Sequence, residues 1–373
     1  MEGEDSEHPE AAKTRGRSLK KRRFQWVTRL LNHRNLDGLL VTSPENVRYW
    51  SGFTGSDAAL LFTGDRRRLL TDSRYITQAA DEASGYELAE YSKKVEGIAD
   101  AILASRVKRL GFESEHVTYA FWAELSAKLT GIALVPLERE VRAARIRKDP
   151  SEIRLMKKAI SIAEKALLNT LCRVEPGIAE KELAREIEFE MRRLGAETVA
   201  FETIVASGYR AALPHGKPTE KRLKRGDLLL IDFGSRFNGY HSDETCTFCL
   251  GEPTAEQRKI YSIVKEAHDR AISSIRAGVS LQEIDRVARG YIADKGYGAR
   301  FGHGLGHGVG LAIHEEPRIS FDSEGVAEGG MVFTVEPGIY IPGWGGIRIE
   351  DMVLVRKEEC EVLTQIDKGL RVF

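Results

Sequence analysis

Residues 20–140 alternate short apolar runs with longer segments whose apolar side chains recur every three or four positions. Phe24, Val27, Leu30 and Leu31 open the series with helical spacing. DGLLVTS, DAALLFTG, RRLLTD and RLGFES read as strands, and VEGIADAILAS and TYAFWAELSAKL as helices. The alternation predicts an α/β domain with its own core. A charged stretch, EREVRAARIRKDPSEIRLMKKA, follows, in which Asp149 and Pro150 form a helix-start signal. The expected division is therefore a disordered tail over 1–19, a first domain over 20–145 and a second over 146–373.

The second domain has a different rhythm. Ile153, Met156, Ile160, Ala163, Leu167 and Leu171 give one amphipathic helix. Leu183, Ile187, Met191 and Leu194 give the next, closed by Gly195. Strand-like segments fill 200–250, two helices are expected near 255–276 and 280–295, and strands return over 308–356. Helix pairs separating hairpin-rich blocks predict an α+β domain with a mainly antiparallel, curved sheet.

Acidic residues interrupt these apolar strands. In LLLIDFGSRFNGYHSDETCTF, Asn238-Gly239 is a type I′ turn signal. A two-residue loop there pairs 237 with 240 and 232 with 245. Asp243 then sits diagonally beside Asp232 on one face. Glu336 and Glu350 lie seven residues to either side of Gly343, so a hairpin centred there sets them opposite one another. Like charges brought together where burial is expected need a proton or a cation. GHGLGHGVGLAIHEE adds three of the nine histidines, His303, His307 and His314. Metal ligand, acid–base group and plain loop residue are all open to them. Four such acids with a minority of imidazole suit a two-metal site that takes Mn²⁺, Co²⁺, Fe²⁺ or Zn²⁺ rather than Ca²⁺.

Composition narrows the function. Lys plus Arg and Asp plus Glu stand at 56 each, which argues against nucleic-acid binding as the main task. No apolar run approaches the length of a membrane span, and the polar N-terminus lacks the apolar core of a secretory signal. The basic run Lys20–Arg23 reads as a solvated lead-in to the first helix. Cys172, Cys246, Cys249 and Cys360 are too scattered for a disulfide framework. Cys246 and Cys249 stand three apart in a strand and so face opposite ways. A reducing cytoplasm is the expected compartment.

LLLIDFG, YHSDETCT, GHGLGHGVGLAIHEEP, FTVEPGIYI and GGIRIEDMVLV, in that order and spacing, closely resemble the M24 metallopeptidase family. This is the family of methionine aminopeptidase, aminopeptidase P and prolidase. The resemblance covers residues 20–373 and implies the pita-bread fold. NVRYWSGFTGS resembles the N-terminal domain shared by creatinase, prolidase and aminopeptidase P, which methionine aminopeptidases generally lack.

Position by position, the resemblance implies two divalent metal ions, Mn²⁺ foremost, on Asp232, Asp243, His307, Glu336 and Glu350. Asp243 and Glu350 would serve both ions, Asp232 one, and His307 and Glu336 the other. His303, His314 and His215 would face the substrate, with His314 on the scissile amide or its tetrahedral intermediate. Glu336 would be the general base, and Arg348 and Tyr340 would support the ligands. Cys246 departs from the pattern, standing where many relatives carry arginine.

The resemblance implies hydrolysis before proline by a metal-bridging hydroxide, in a chain that forms a homodimer. An Xaa-Pro aminopeptidase is the first expectation and an Xaa-Pro dipeptidase the alternative. The dipeptidase needs a cation for the substrate carboxylate, and Arg318 lies where some prolidases carry one. An inactive binding module and a creatinase-like hydrolase are disfavoured because all five ligand positions are filled.

Overall fold

A computed structural model describes residues 23–373. The tail expected over 1–19 and most of the basic run lie outside those residues. There are two compact units, one ending at Ala144 and the other beginning at Arg145.

The first unit opens with helix α1, residues 23–34. Strands β1 (Gly38–Val41), β2 (Ala58–Thr63), β3 (Arg66–Thr71), β4 (Glu87–Glu90), β5 (Arg109–Glu113) and β6 (Ala133–Leu137) form one sheet in the order β4-β3-β2-β1-β5-β6. β1 pairs parallel with β5, as do β3 with β4 and β5 with β6, while β2 runs antiparallel to both β1 and β3. Helices α2 (Pro44–Ser51), α3 (Ile76–Glu82), α4 (Lys94–Ala104), α5 (Tyr119–Lys128) and α6 (Arg139–Ala143) complete it. The hydrophobic pattern anticipates α1, α4, α5 and the four strands β1, β2, β3 and β5. It misses β4 and β6, because these outermost strands are largely half-buried or exposed and carry no continuous apolar run.

The second unit begins with α7 (Pro150–Thr170) and α8 (Glu180–Arg193). A capping box starts α7: the Asp149 carboxylate accepts from the Ser151 and Glu152 amides, and Glu152 accepts from the Asp149 amide. Strands β7 (Thr198–Val199), β8 (Ile204–Ser207), β9 (Leu228–Phe233), β10 (Ser235–Phe237), β11 (Tyr240–His241) and β12 (Glu244–Cys249) follow. Then come α9 (Ala255–Ser274) and α10 (Leu281–Asp294). The unit ends with β13 (Gly306–Gly308), β14 (Glu315–Ile319), β15 (Val332–Val335), β16 (Gly338–Ile341), β17 (Gly345–Arg348), β18 (Asp351–Val355) and β19 (Cys360–Val362). Every pairing between these strands is antiparallel.

Each helix pair covers one block of strands. Leu167, Leu183, Ile187 and Met191 pack on Leu229, Ile231, Phe233 and Phe248. Ile260, Val264, Ile284 and Ile292 pack on Phe333, Val335, Ile347 and Val353. The alternation of strand side chains then sends Asp232 to the face opposite Ile231 and Phe233. Cys246 belongs to the first core and Cys249 to the second, so the two thiols do point apart, and all four cysteines are free.

Candidate metal and active site

Two hairpin registers assemble the acids. Phe237 pairs with Tyr240, Asn238 and Gly239 take φ of 46° and 77°, and Thr245 pairs with Asp232. This is the expected I′ register, and it sets Asp243 on the same face as Asp232. Val335 pairs with Asp351 and Gly338 with Arg348, so one register runs through both ladders and places Glu336 opposite Glu350.

His307 comes from β13, which lies between β14 and β15. The flanking glycines permit that approach. A Cβ on Gly306 would meet the Thr334 carbonyl oxygen at 1.9 Å, and one on Gly308 would meet that of Glu316 at 2.2 Å. The imidazole Nδ1 faces the Gly308 carbonyl at 3.1 Å. Nε2 thus points to the acids, 3.5 Å from both Asp243 and Glu336. One ring nitrogen is oriented by backbone and the other is presented, as a metal-binding histidine requires.

Ligand-capable atoms of Asp243, His307 and Glu350 all lie within 4.8 Å of one another. Asp232 and Glu336 line the same cavity, of about 470 Å³. All four acids are shifted upward. Burial raises Asp232. It raises Asp243 well above the usual carboxylate range, reinforced by Glu350, Asp232 and Glu336. Burial, with Glu336 and Asp232, does the same to Glu350. Burial takes Glu336 to about 7. Asp232 Oδ1 is buried with no hydrogen-bond partner among the described residues. Clustered carboxylates, one of them with an orphaned oxygen, are a donor set that fits divalent cations.

One buried cation serves this cluster directly. Arg348 Nη2 lies 2.5 Å from Asp232, Nε donates to Thr245 at 3.1 Å, and Nη1 donates to Tyr340 at 2.9 Å. Tyr340 also bonds His303 Nε2 at 2.9 Å, while His303 Nδ1 faces the Gly304 carbonyl at 2.8 Å. His303 therefore lines the cavity with both ring nitrogens already engaged. From α10, Arg289 holds the Phe301 and His303 carbonyls, and Asp285 accepts from the Leu305 amide.

The remaining histidines are more open. His314 is exposed at the cavity wall, its ring 4.2 Å from that of His307. Its neighbour Glu315 is fixed by Arg145 at 3.2 Å and Lys148 at 2.8 Å. His215 lines the same cavity and is exposed. Burial lowers His303 to about 4 and His307 to about 3, and burial also lowers His314. All three are then neutral near pH 7. Arg318 lines the cavity as well, with an exposed side chain 3.5 Å from Asp322.

The cavity thus gathers ten of the eleven sequence candidates, Arg348 among them, and Tyr340 joins them through its hydrogen bond with Arg348. Two contributors escaped sequence reasoning. Thr245 Oγ1 donates to Glu350 at 2.6 Å, and Thr334 Oγ1 contacts Glu336 at 3.2 Å and accepts from the His307 amide. Their signal was available: each stands two strand positions from an acid, hence on the same face. Cys246 faces away from the acids, with burial pushing its thiol up.

A model of metallopeptidase family M24 matches residues 154–357, and one of the creatinase/prolidase N-terminal domain matches 23–147. Over 350 residues the chain is 39% identical to an Xaa-Pro dipeptidase of Pyrococcus horikoshii, covering 92% of this chain and 97% of that protein. The structure of an Xaa-Pro dipeptidase from Bacillus anthracis matches with a TM-score of 0.92 and 39% identity, over 95% of this chain and 100% of that one. That of an X-Pro aminopeptidase from Thermotoga maritima matches with a TM-score of 0.87 and 40% identity, over 94% and 99%.

Proposed function

The chain belongs to metallopeptidase family M24, with a creatinase/prolidase-type N-terminal domain and a pita-bread catalytic domain, and from that premise we propose that it hydrolyses Xaa-Pro dipeptides. The observation that carries the proposal is one cavity lined by Asp232, Asp243, His307, Glu336 and Glu350 that also contains Arg318. The acids suit divalent cations, and Arg318 offers a counter-charge for a dipeptide carboxylate. The Pyrococcus and Bacillus relatives named Xaa-Pro dipeptidase support this order, which reverses the aminopeptidase-first expectation from the sequence. The aminopeptidase is the second reading, favoured by the Thermotoga relative of that name.

In this reading Asp243 and Glu350, together with Asp232, His307 and Glu336, would hold two divalent cations. Such ions, Mn²⁺ foremost, supply Lewis acidity and lower the pKa of a water to near neutrality when bound. Glu336 takes the proton from the attacking water and delivers it to the departing proline nitrogen. His314, a neutral donor, hydrogen-bonds the oxygen that gains charge. His215 and His303 shape the wall against the proline side, and Asp232 lies toward the substrate amine. Arg318 binds the terminal carboxylate. Homodimer assembly belongs to the same proposal and is checked by sedimentation.

The deciding assay compares Xaa-Pro with Xaa-Pro-Yaa in the presence of Mn²⁺. Efficient cleavage of the dipeptide alone supports the proposal. Equal or better cleavage of the tripeptide would replace it with the aminopeptidase.

A further inference from the structure

Behind the acids lies a second charged cluster that the reaction does not use. Glu244 follows Asp243, and Asp351 follows Glu350. Successive strand side chains face opposite ways, so these two acids point away from the cavity when their neighbours point into it. Lys368 Nζ reaches both. It contacts Glu244 Oε1 and lies 3.2 Å from Asp351 Oδ1, and Lys368, Glu244 and Asp351 are all buried.

The lysine arrives from the irregular C-terminal segment, and that segment is fixed along its length. Thr364 Oγ1 donates to Asp351 at 2.6 Å, and the Leu363 amide donates to the Met352 carbonyl at 2.8 Å. The Ile366 amide donates to Glu164 of α7 at 3.2 Å. Tyr261 of α9 donates to the Lys368 carbonyl at 2.9 Å. The Cys249 amide donates to the Arg371 carbonyl at 3.0 Å. The ammonium is therefore held in place by the backbone on either side of it. Asp351 has other partners, including Thr364 and His268 at 3.1 Å. Glu244 differs: its Oε2 is buried with no hydrogen-bond partner among the described residues. The same ammonium donates to Cys246 Sγ at 3.7 Å.

We propose that Lys368 is a positioning residue that links the strand that Asp243 leads into with the strand that Glu350 leads into, and so sets the spacing on which their affinity for divalent cations depends. The inference rests on the proposed role of Asp243 and Glu350 as metal ligands. The two acids repel each other across the cavity, and a single ammonium bonded to both of their neighbours opposes that repulsion from the reverse face. A buried ion pair with no such role would change stability alone. A positioning residue changes metal affinity in the protein that remains folded.

The test compares full-length wild type, Lys368→Met, Lys368→Arg and the double variant Lys368→Met/Glu244→Gln. Calorimetry reports the number and affinity of bound Mn²⁺, and thermal unfolding in chelator reports stability separately. Wild type binds two ions. Lys368→Met is expected to weaken binding by about 10–100-fold, the range for groups that orient ligands, and Lys368→Arg to recover most of it. Should Lys368→Met not fold, the double variant, which removes the stranded carboxylate charge, must show the same weakening. Wild-type affinity in either folded variant overturns the inference, whatever the stability. Absence of Mn²⁺ binding in wild type instead overturns the metal reading beneath it.

Discussion

The guanidinium of Arg348 lies 2.5 Å from a carboxylate oxygen of Asp232, and both groups are buried. The other Asp232 oxygen has no hydrogen-bond partner among the described residues. One half of the carboxylate is thus held for orientation and the other is left unpaired. Removing one member of a buried pair strands the other, typically at a cost of about 3–5 kcal/mol. Arg348→Met is expected to destabilise the metal-free protein by about 3 kcal/mol. Chemical denaturation with chelator present checks it, and unchanged stability would count against the pair.

Asp243 is expected to be indispensable for turnover yet dispensable for folding. Asp243→Asn keeps the shape and removes one of four mutually repelling acids. The metal-free variant should unfold at or above the wild-type temperature, while activity falls by more than the 10–100-fold typical of outer-shell changes. Calorimetric scanning and a peptide assay report the two effects independently.

The acids also set the pH response. Burial raises Glu336 from 4.5 to about 7, and raises Asp243 and Glu350 well above their usual range. A carboxylate whose folded pKa exceeds its unfolded one holds its extra proton only in the folded state. Its stability contribution is complete below the unfolded value and is lost as pH rises through the folded one. Metal-free protein should therefore lose stability as pH rises from about 5 to about 7. Saturating Mn²⁺ should flatten that loss, because ligand binding requires the deprotonated acids. Unfolding temperatures across that range, with and without chelator, decide it; a metal-free curve that rises with pH contradicts the assignment.

His314→Ala should separate chemistry from metal binding. The ring is exposed on the cavity wall and lies beside His307 rather than among the acids. Loss of a donor to a charge-developing oxygen typically lowers kcat by about 100-fold. The bound metal content should not change, and a proportional loss of metal would reassign His314 as a ligand.

Arg318 tests the substrate class. Charged hydrogen bonds contribute about 1.5–3 kcal/mol, so Arg318→Ala should raise KM for an Xaa-Pro dipeptide at least about tenfold. Its effect on kcat should be small. Equal effects on dipeptide and tripeptide would remove Arg318 from carboxylate recognition.

Much of this site is legible in the chain because hairpin register is arithmetic. Asn238-Gly239 specifies the turn that aligns Asp243 with Asp232, and the span about Gly343 specifies Glu336 against Glu350. His307 could be separated from His303 and His314 only by the family resemblance, since glycine spacing alone does not say which ring faces the acids. Tyr340 and Arg348 were legible as supports, but not the chain of bonds from His303 through Tyr340 and Arg348 to Asp232. Lys368 left no signal. It stands in an irregular segment more than one hundred residues after Glu244, and its partners depend on tertiary packing rather than periodicity.

The central claim is that two divalent cations held by this cavity enable hydrolysis of an Xaa-Pro bond. The most direct measurement removes metal with chelator, then titrates Mn²⁺ while recording bound metal and Xaa-Pro dipeptide hydrolysis together. The account predicts no turnover in the metal-free protein and full activity as binding approaches two ions per chain. Activity that survives metal removal, or saturates with no bound divalent ion, would contradict it.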